Sequence, residues 1–279
     1  MKINFIPVDY SHFDFEEKNY AKIIGRMDNG YRACIIDSCD VYFWAILKNN
    51  IPDEKIQEIC DKIRKIKIKN KLREAQVLKT EVHEKNFLGK KAKAIKIFIT
   101  NYKDAHDIAD HIGFTEIAKR REYDLSFITK YIIEKKLKPL KWYEIEGEVL
   151  TSEFGINNIN VDLCLKVDNI KELEKDDFFP KILAYDIECD EFEIGKGHIL
   201  MISLIGEDFK KILTWKGKSE KSYIVNFKNE EEMIKGFIDH VKNYSPDILV
   251  GYFSDGFDLP YLKARAEKNN IKLNLGIDD

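Results

Sequence analysis

The apolar residues of this chain arrive in short runs, and that spacing restricts the fold more than any other feature. Runs of five to eight residues rich in Ile, Val, Phe, Tyr and Trp recur at 3–8, 20–26, 31–36, 41–47, 75–82, 94–99, 115–121, 182–189, 199–205 and 211–215. Turn signals such as Asp28-Asn29-Gly30 and Asn86-Phe87-Leu88-Gly89 separate neighbouring runs. Runs of this length and β-branched content predict strands. Between them lie stretches with helical spacing. Pro52-Asp53-Glu54 opens one that carries Ile56, Ile59, Cys60 and Ile63, and others cover 103–112, 124–135, 230–244 and 258–269. Asp258 is placed to cap the last of these, with Pro260 in its first turn. No apolar stretch approaches the ~18 residues of a membrane span. The acids that follow Met1-Lys2-Ile3-Asn4-Phe5 do not suit a signal peptide.

Taken in order, residues 41–121 run β-α-β-β-α-β, the order of a ferredoxin-like split βαβ element, within a part otherwise rich in strands. Residues 182–269 run β-β-β-α-β-α, with a short buried strand at 248–252, the order of a ribonuclease-H-like core. The expected class is mixed α+β and α/β. The expected division is an N-terminal domain at 1–141, a connecting segment at 142–180 and a partial ribonuclease-H-like domain at 181–279. Asn157-Asn158, the acidic run at 172–177 and Pro180 mark the connector.

The formal net charge of -3 conceals two opposite halves. Residues 1–141 hold 29 Lys and Arg against 21 Asp and Glu, a net +8; residues 142–279 hold 17 against 28, a net -11. Basic surface attracts polyanions such as nucleic acid, and acidic surface can hold divalent cations. Solvated faces of a Lys- and Glu-rich chain give the same sums. The alternating run Lys62–Arg73 reads as a helix end turning into an edge strand guarded by lysines, and also fits a stripe facing phosphates. The five cysteines form no C-x-x-C pair, which is the pattern of reduced thiols in a cytoplasmic chain and not of a zinc site.

The residues most able to do chemistry are Asp186 and Glu188, in Ile-Leu-Ala-Tyr-Asp186-Ile-Glu188. Residues at i and i+2 on a strand point to the same face. Two carboxylates side by side on an apolar strand repel and are poorly solvated, and a divalent cation removes both problems. The alternative is a strand end emerging into solvent. Asp258 sits where a strand turns into a helix, a position that can return a third carboxylate to the first strand. Three converging carboxylates are suited to two-metal phosphodiester hydrolysis, while a plain helix cap accounts for Asp258 equally well.

These segments resemble the N-terminal part of an archaeal family-B DNA polymerase. Ile-Leu-Ala-Tyr-Asp186-Ile-Glu188 is similar to the family's first exonuclease motif, and Phe257-Asp258-Leu-Pro-Tyr-Leu-Lys-Ala-Arg265 to its second. Gly195-Lys-Gly-His-Ile-Leu-Met-Ile-Ser203, Asn86-Phe-Leu-Gly-Lys90 and the stretch from Glu122 to Tyr131 also resemble family segments in order. The resemblance implies a 3′-5′ proofreading exonuclease at 181–279. Asp186, Glu188 and Asp258 would be its catalytic metal ligands for Mg²⁺ or Mn²⁺. It also implies an N-terminal domain that binds single-stranded and primer-template DNA. The family's uracil-reading pocket corresponds here to Tyr10, Val41, Tyr42, Ala105 and Phe127, with Val41 where Pro is usual and Ala105 where Val is usual. Ordinary aromatic core packing is the other account of those five.

Two departures bear on activity. Phe253 stands where the family's second motif carries Asn, and a Phe ring cannot donate the amide's hydrogen bond. The family's third motif, Tyr-x-x-x-Asp, does not follow Asp258 within these residues. The resemblance therefore implies no polymerisation and little exonuclease activity from this chain alone, which reads as an N-terminal fragment or a split or truncated form, a second polypeptide carrying the rest if it is split. The competing reading is a non-catalytic DNA-binding module from a degenerate polymerase paralogue.

Overall fold

The computed structural model describes residues 1–69, 74–151, 154, 159–175 and 178–277. The chain forms two compact units, one of Met1–Asn157 with Val161–Asp176, the other of Asn158–Asn160 with Asp177–Asp279. The fold is mixed α and β.

The first unit contains a closed barrel of β1 (Lys2–Phe15), β2 (Lys18–Met27), β3 (Arg32–Asp37), β9 (Tyr143–Val149) and β10 (Leu163–Glu172), in the order β1-β2-β3-β10-β9. Residues 142–180, expected to connect two domains, thus supply two barrel strands. The reason is the edges: β9 pairs with β1 and β10 runs parallel to β3, so neither outer strand is left with unpaired backbone. Nothing local in a strand reports which distant edge it will meet. The Asn157-Asn158 turn of the expected connector lies outside the described residues. Two register shifts bend the barrel, at Pro7/Asp9 and Val167/Asn169, and each lies across from a glycine, Gly25 and Gly147. A Cβ at Gly25 would stand 2.0 Å from the Ile6 carbonyl, and one at Gly147 2.2 Å from the Lys166 carbonyl, so close backbone approach excludes a side chain at both bulges. Helix α3 (Phe127–Glu134) begins where Ser126 accepts the Thr129 N–H, later than the expected 124. It inserts Phe127 and Tyr131 into the barrel core with Phe5, Ile23 and Ile35.

A second sheet of the same unit has the order β5-β6-β7-β4-β8. Its strands are β4 (Tyr42–Leu47), β5 (Lys67–Lys69), β6 (Glu74–Phe87), β7 (Lys90–Ile99) and β8 (Ile117–Arg121). Helices α1 (Asp53–Arg64) and α2 (Ala105–His111) cover one face, where Ile56, Ile59, Ile63 and Ile108 meet Phe43, Ala45 and Leu47. Asn101 accepts the Lys103 N–H and sets a 3₁₀ turn at Tyr102–Asp104, so α2 starts later than expected. Lys67 and Lys69 are exposed on edge strand β5; the rest of the basic run, 70–73, lies outside the described residues.

The second unit is a sheet of β11 (Ile182–Cys189), β12 (Ile199–Ile205), β13 (Lys210–Thr214), β14 (Ile224–Asn226) and β15 (Ile248–Val250), in the order β14-β13-β12-β11-β15. β11, β12 and β13 are antiparallel neighbours, and β15 runs parallel to β11. Helices α4 (Glu230–Tyr244) and α5 (Asp258–Lys268) share a core with Leu183, Tyr185 and Ile187. Asn229 caps α4 by accepting the Glu232 N–H at 2.8 Å. Among the described residues no helix is long and apolar enough to cross a membrane, and all five cysteines are free thiols.

Candidate active site

Strand β11 separates its two faces by alternation. Leu183, Tyr185 and Ile187 are buried in the helix-covered core, and Asp186 and Glu188 are exposed on the other side. The two carboxylates therefore do share a face, but an open one. Of the apolar neighbours that suggested poor solvation, Leu183 and Ile187 point the opposite way, and Ile182, on the same face, is itself exposed.

Parallel pairing brings the second motif to them. Ala184 lies beside Val250, so β15 ends level with the middle of β11. The following backbone stays close: a Cβ on Gly251 would stand 3.0 Å from the Tyr185 carbonyl oxygen. After a short turn α5 begins at Asp258. Phe257 occupies the cap position, so Asp258 is the first helical residue and not the cap. Its side chain is only 4% exposed. Burial raises its carboxyl above the usual Asp value, and the Asp186 charge raises it further; backbone N–H groups of Asp258 and Ile187 pull the other way. Asp186 and Asp258 thus lie within electrostatic reach, with Glu188 on the Asp186 face.

Residues 118–276 match the family model described as DNA polymerase family B, exonuclease domain. The chain belongs to this family. It is 32% identical over 241 residues to a DNA polymerase of Pyrococcus glycovorans, covering 85% of this chain and 26% of that protein. It is 33% identical over 280 residues to one of Thermococcus litoralis, covering 97% of this chain and 14% of the relative. The chain spans about a quarter or less of these relatives. The solved family B DNA polymerase of Pyrobaculum calidifontis shares the fold with a TM-score of 0.74 at 21% identity, over 98% of this chain and 33% of that one.

Exonuclease domains of family B depend on divalent metal, and the donors present here are of the type that suits such an ion. Carboxylate oxygens suit Mg²⁺ or Mn²⁺, and a cation would relieve the repulsion that raises Asp258. Asp186, Glu188 and Asp258 are the residues that would hold it. Among the described residues, no three His, Cys, Asp or Glu side chains are gathered closely enough to cage a metal.

A buried ion pair positions α5, and sequence reasoning missed it. Arg265 Nε donates to Glu230 Oε1 at 2.8 Å, and that same oxygen accepts the Ile199 N–H at 2.8 Å. Asn269 donates to the other carboxylate oxygen. The pair joins the first turn of α4, the start of β12 and the last turns of α5. The available signal was an Arg on the apolar side of α5, beside Tyr261 and Leu262.

The five expected uracil-pocket residues do not all meet. Tyr10 and Phe127 belong to the barrel core, Val41 packs against that core and against the helix-covered sheet, and Ala105 lies in the latter. The Tyr10 hydroxyl is buried without a hydrogen-bond partner, and burial raises its pKa. Tyr42 packs elsewhere, with Trp44 and Phe98; its hydroxyl donates to Glu134, and the Lys96 and Lys130 ammonium groups lie 3.6 and 4.0 Å from its ring. Successive residues of an extended chain point to opposite sides, which is why Val41 and Tyr42 part.

Proposed function

We propose that the second unit is the metal-binding face of a 3′-5′ exonuclease acting on single-stranded DNA ends, and that the first unit holds the template strand. The observation that carries the first half is the pairing of Asp186 with Asp258. A strand face and a helix start place like charges within electrostatic reach of each other. Bound Mg²⁺ or Mn²⁺ would supply an activated water and charge stabilisation for phosphodiester cleavage. Asp186, Glu188 and Asp258 bind and orient the cation. The order β14-β13-β12-β11-β15 supports a ribonuclease-H-like layer, and β6-β7-β4-β8, with a helix on each crossover, supports a ferredoxin-like one. Template-directed synthesis, for which the relatives are named, would come from polypeptide beyond these residues, in cis or as a partner.

The experiment is digestion of a single-stranded, 5′-end-labelled oligonucleotide with Mg²⁺. Residues 1–279 alone are expected to digest it negligibly. Supplying the remaining polypeptide of a longer relative should raise the rate by at least about 100-fold, the scale on which a single stabilising group acts. Digestion that is unchanged by Asp186→Ala rejects the site.

For the first unit, we propose template reading that favours deoxyuridine, supported by the unpartnered Tyr10 hydroxyl near Val41 and Phe127. Single-stranded DNA with deoxyuridine should bind more tightly than the same strand with thymidine, and Ala105→Leu should remove the difference. Equal affinities for the native chain reject that reading.

A further inference from the structure

The turn between β15 and α5 displays two aromatic rings to solvent. Tyr252 is 95% exposed and Phe253 71%. Phe253 has φ 55°, in the left-handed region that bulky side chains rarely occupy. Its carbonyl accepts the N–H groups of Gly256 at 3.0 Å and Phe257 at 3.1 Å, which locks the conformation into the approach to α5. The ring rests on Gly256, where a Cβ would fall 2.3 Å from Phe253 Cζ. A side chain at that position would displace the ring from this seat. The chain therefore holds a left-handed backbone to present a ring that gains little from burial. Strain held in place without packing to compensate it is found at binding and catalytic positions.

The location indicates the ligand. β15 and β11 are parallel, so this turn leaves the same sheet edge as the loop that follows Glu188. That second loop carries another exposed ring, Phe192, and is tied to α5 by Tyr261, whose hydroxyl donates to the Glu191 carbonyl at 2.9 Å. Asp258 is five residues beyond Phe253. Residues 181–279 hold 14 Lys and Arg against 18 Asp and Glu, and Asp186, Glu188 and Asp258 lie at this end, so general electrostatics do not attract a polynucleotide here. Binding has to come from contacts indifferent to phosphate charge. Aromatic faces on which bases stack are such contacts, and they do not discriminate among the four bases.

We propose that Phe253, seated on Gly256, is a positioning residue that stacks a base at the 3′ end of a single strand and holds that end beside Asp186 and Asp258. Tyr252 extends the same surface. The proposal rests on the exonuclease reading of this edge and replaces a hydrogen-bonding amide with a stacking ring.

The test is fluorescence titration of a single-stranded oligonucleotide carrying 2-aminopurine at its 3′ terminus, with the full chain, in EDTA and then in Mn²⁺. Stacking should quench the probe in EDTA, where no carboxylate-bound cation contributes. Phe253→Ala should weaken binding about 5- to 150-fold and abolish the quench, the range for losing one stacked base. Phe253→Trp should keep both. Phe253→Asn should bind like Phe253→Ala yet melt at a higher temperature than the native chain, because Asn tolerates left-handed φ; a merely structural Phe would not combine lost binding with gained stability. Native-like affinity and quench in Phe253→Ala overturn the proposal, as does absence of quench with the native chain. A quench that depends on Phe253 but is indifferent to Mn²⁺ would instead count against the metal site and leave the stacking role intact.

Discussion

Glu230 and Asp258 are both nearly inaccessible, 5% and 4% exposed, and the protein treats them in opposite ways. Glu230 is met by the Arg265 guanidinium, the Ile199 N–H and the Asn269 amide. Burial by itself would raise its carboxyl, but these partners outweigh burial and hold it below the ordinary value of 4.5. Among the described residues, Asp258 has no cationic partner. Burial and the Asp186 charge both raise it above the ordinary 3.8. The first arrangement is a clamp, complete in itself. The second is incomplete without something positive, which is the physical meaning of a candidate metal site.

The comparison can be broken most forcefully at the clamp. Glu230→Ala leaves a buried guanidinium unpaired and should destabilise the chain by about 3–5 kcal/mol, measured by urea unfolding. A loss below about 1 kcal/mol, the range of surface pairs, would show that the pair is not a clamp at all.

Metal addresses the other member. Mn²⁺ at about 100 times its Kd should add about 2.7 kcal/mol to native stability. The double variant Asp186→Ala, Glu188→Ala should gain nothing, and equal gains in both proteins would reject the site. Without metal, Asp258→Asn removes a buried charge facing a like charge. It should raise stability at neutral pH by about 0.5–2 kcal/mol, as relief of functional-site strain commonly does. A clear loss of stability would mean that the backbone N–H groups satisfy the Asp258 carboxylate better than the Asp186 charge opposes it.

The smallest expected effect is a slope in pH. Glu230 keeps its charge in the folded chain at pH values where the unfolded chain takes up a proton. Its contribution is therefore full above about pH 4.5 and fades as the pH falls through the lower folded value. Glu230→Gln should flatten the acid side of the stability profile. An unchanged acid side would assign that slope to other carboxylates.

Much of the site was legible because its information is local. An acid at i and i+2 on a strand must share a face, and Asp186 and Glu188 do. What could not be read is which face, since Leu183, Tyr185 and Ile187 point into the core while the acids point away from it. The helix start after Asn229 follows from the side chain that caps it, a short-range matter, while the start after Ser126 comes three residues later than expected. Tyr42 packs with a different cluster from Val41 for an equally simple reason: adjacent residues of an extended chain diverge.

By itself, the amino-acid sequence determined the element order, the acid pair and the motif that begins at Phe257, because periodicity, turn chemistry and residue type act over a few positions. Only the tertiary structure decided the rest. Closure of the barrel by β9 and β10, the pairing of Glu230 with Arg265, the charge of Asp186 felt by Asp258, and the seating of Phe253 on Gly256 all depend on backbone geometry or on distant segments meeting. Those meetings are set by which strand edges and apolar faces remain unsatisfied once the local elements have formed, a property of the assembled chain and not of any window within it.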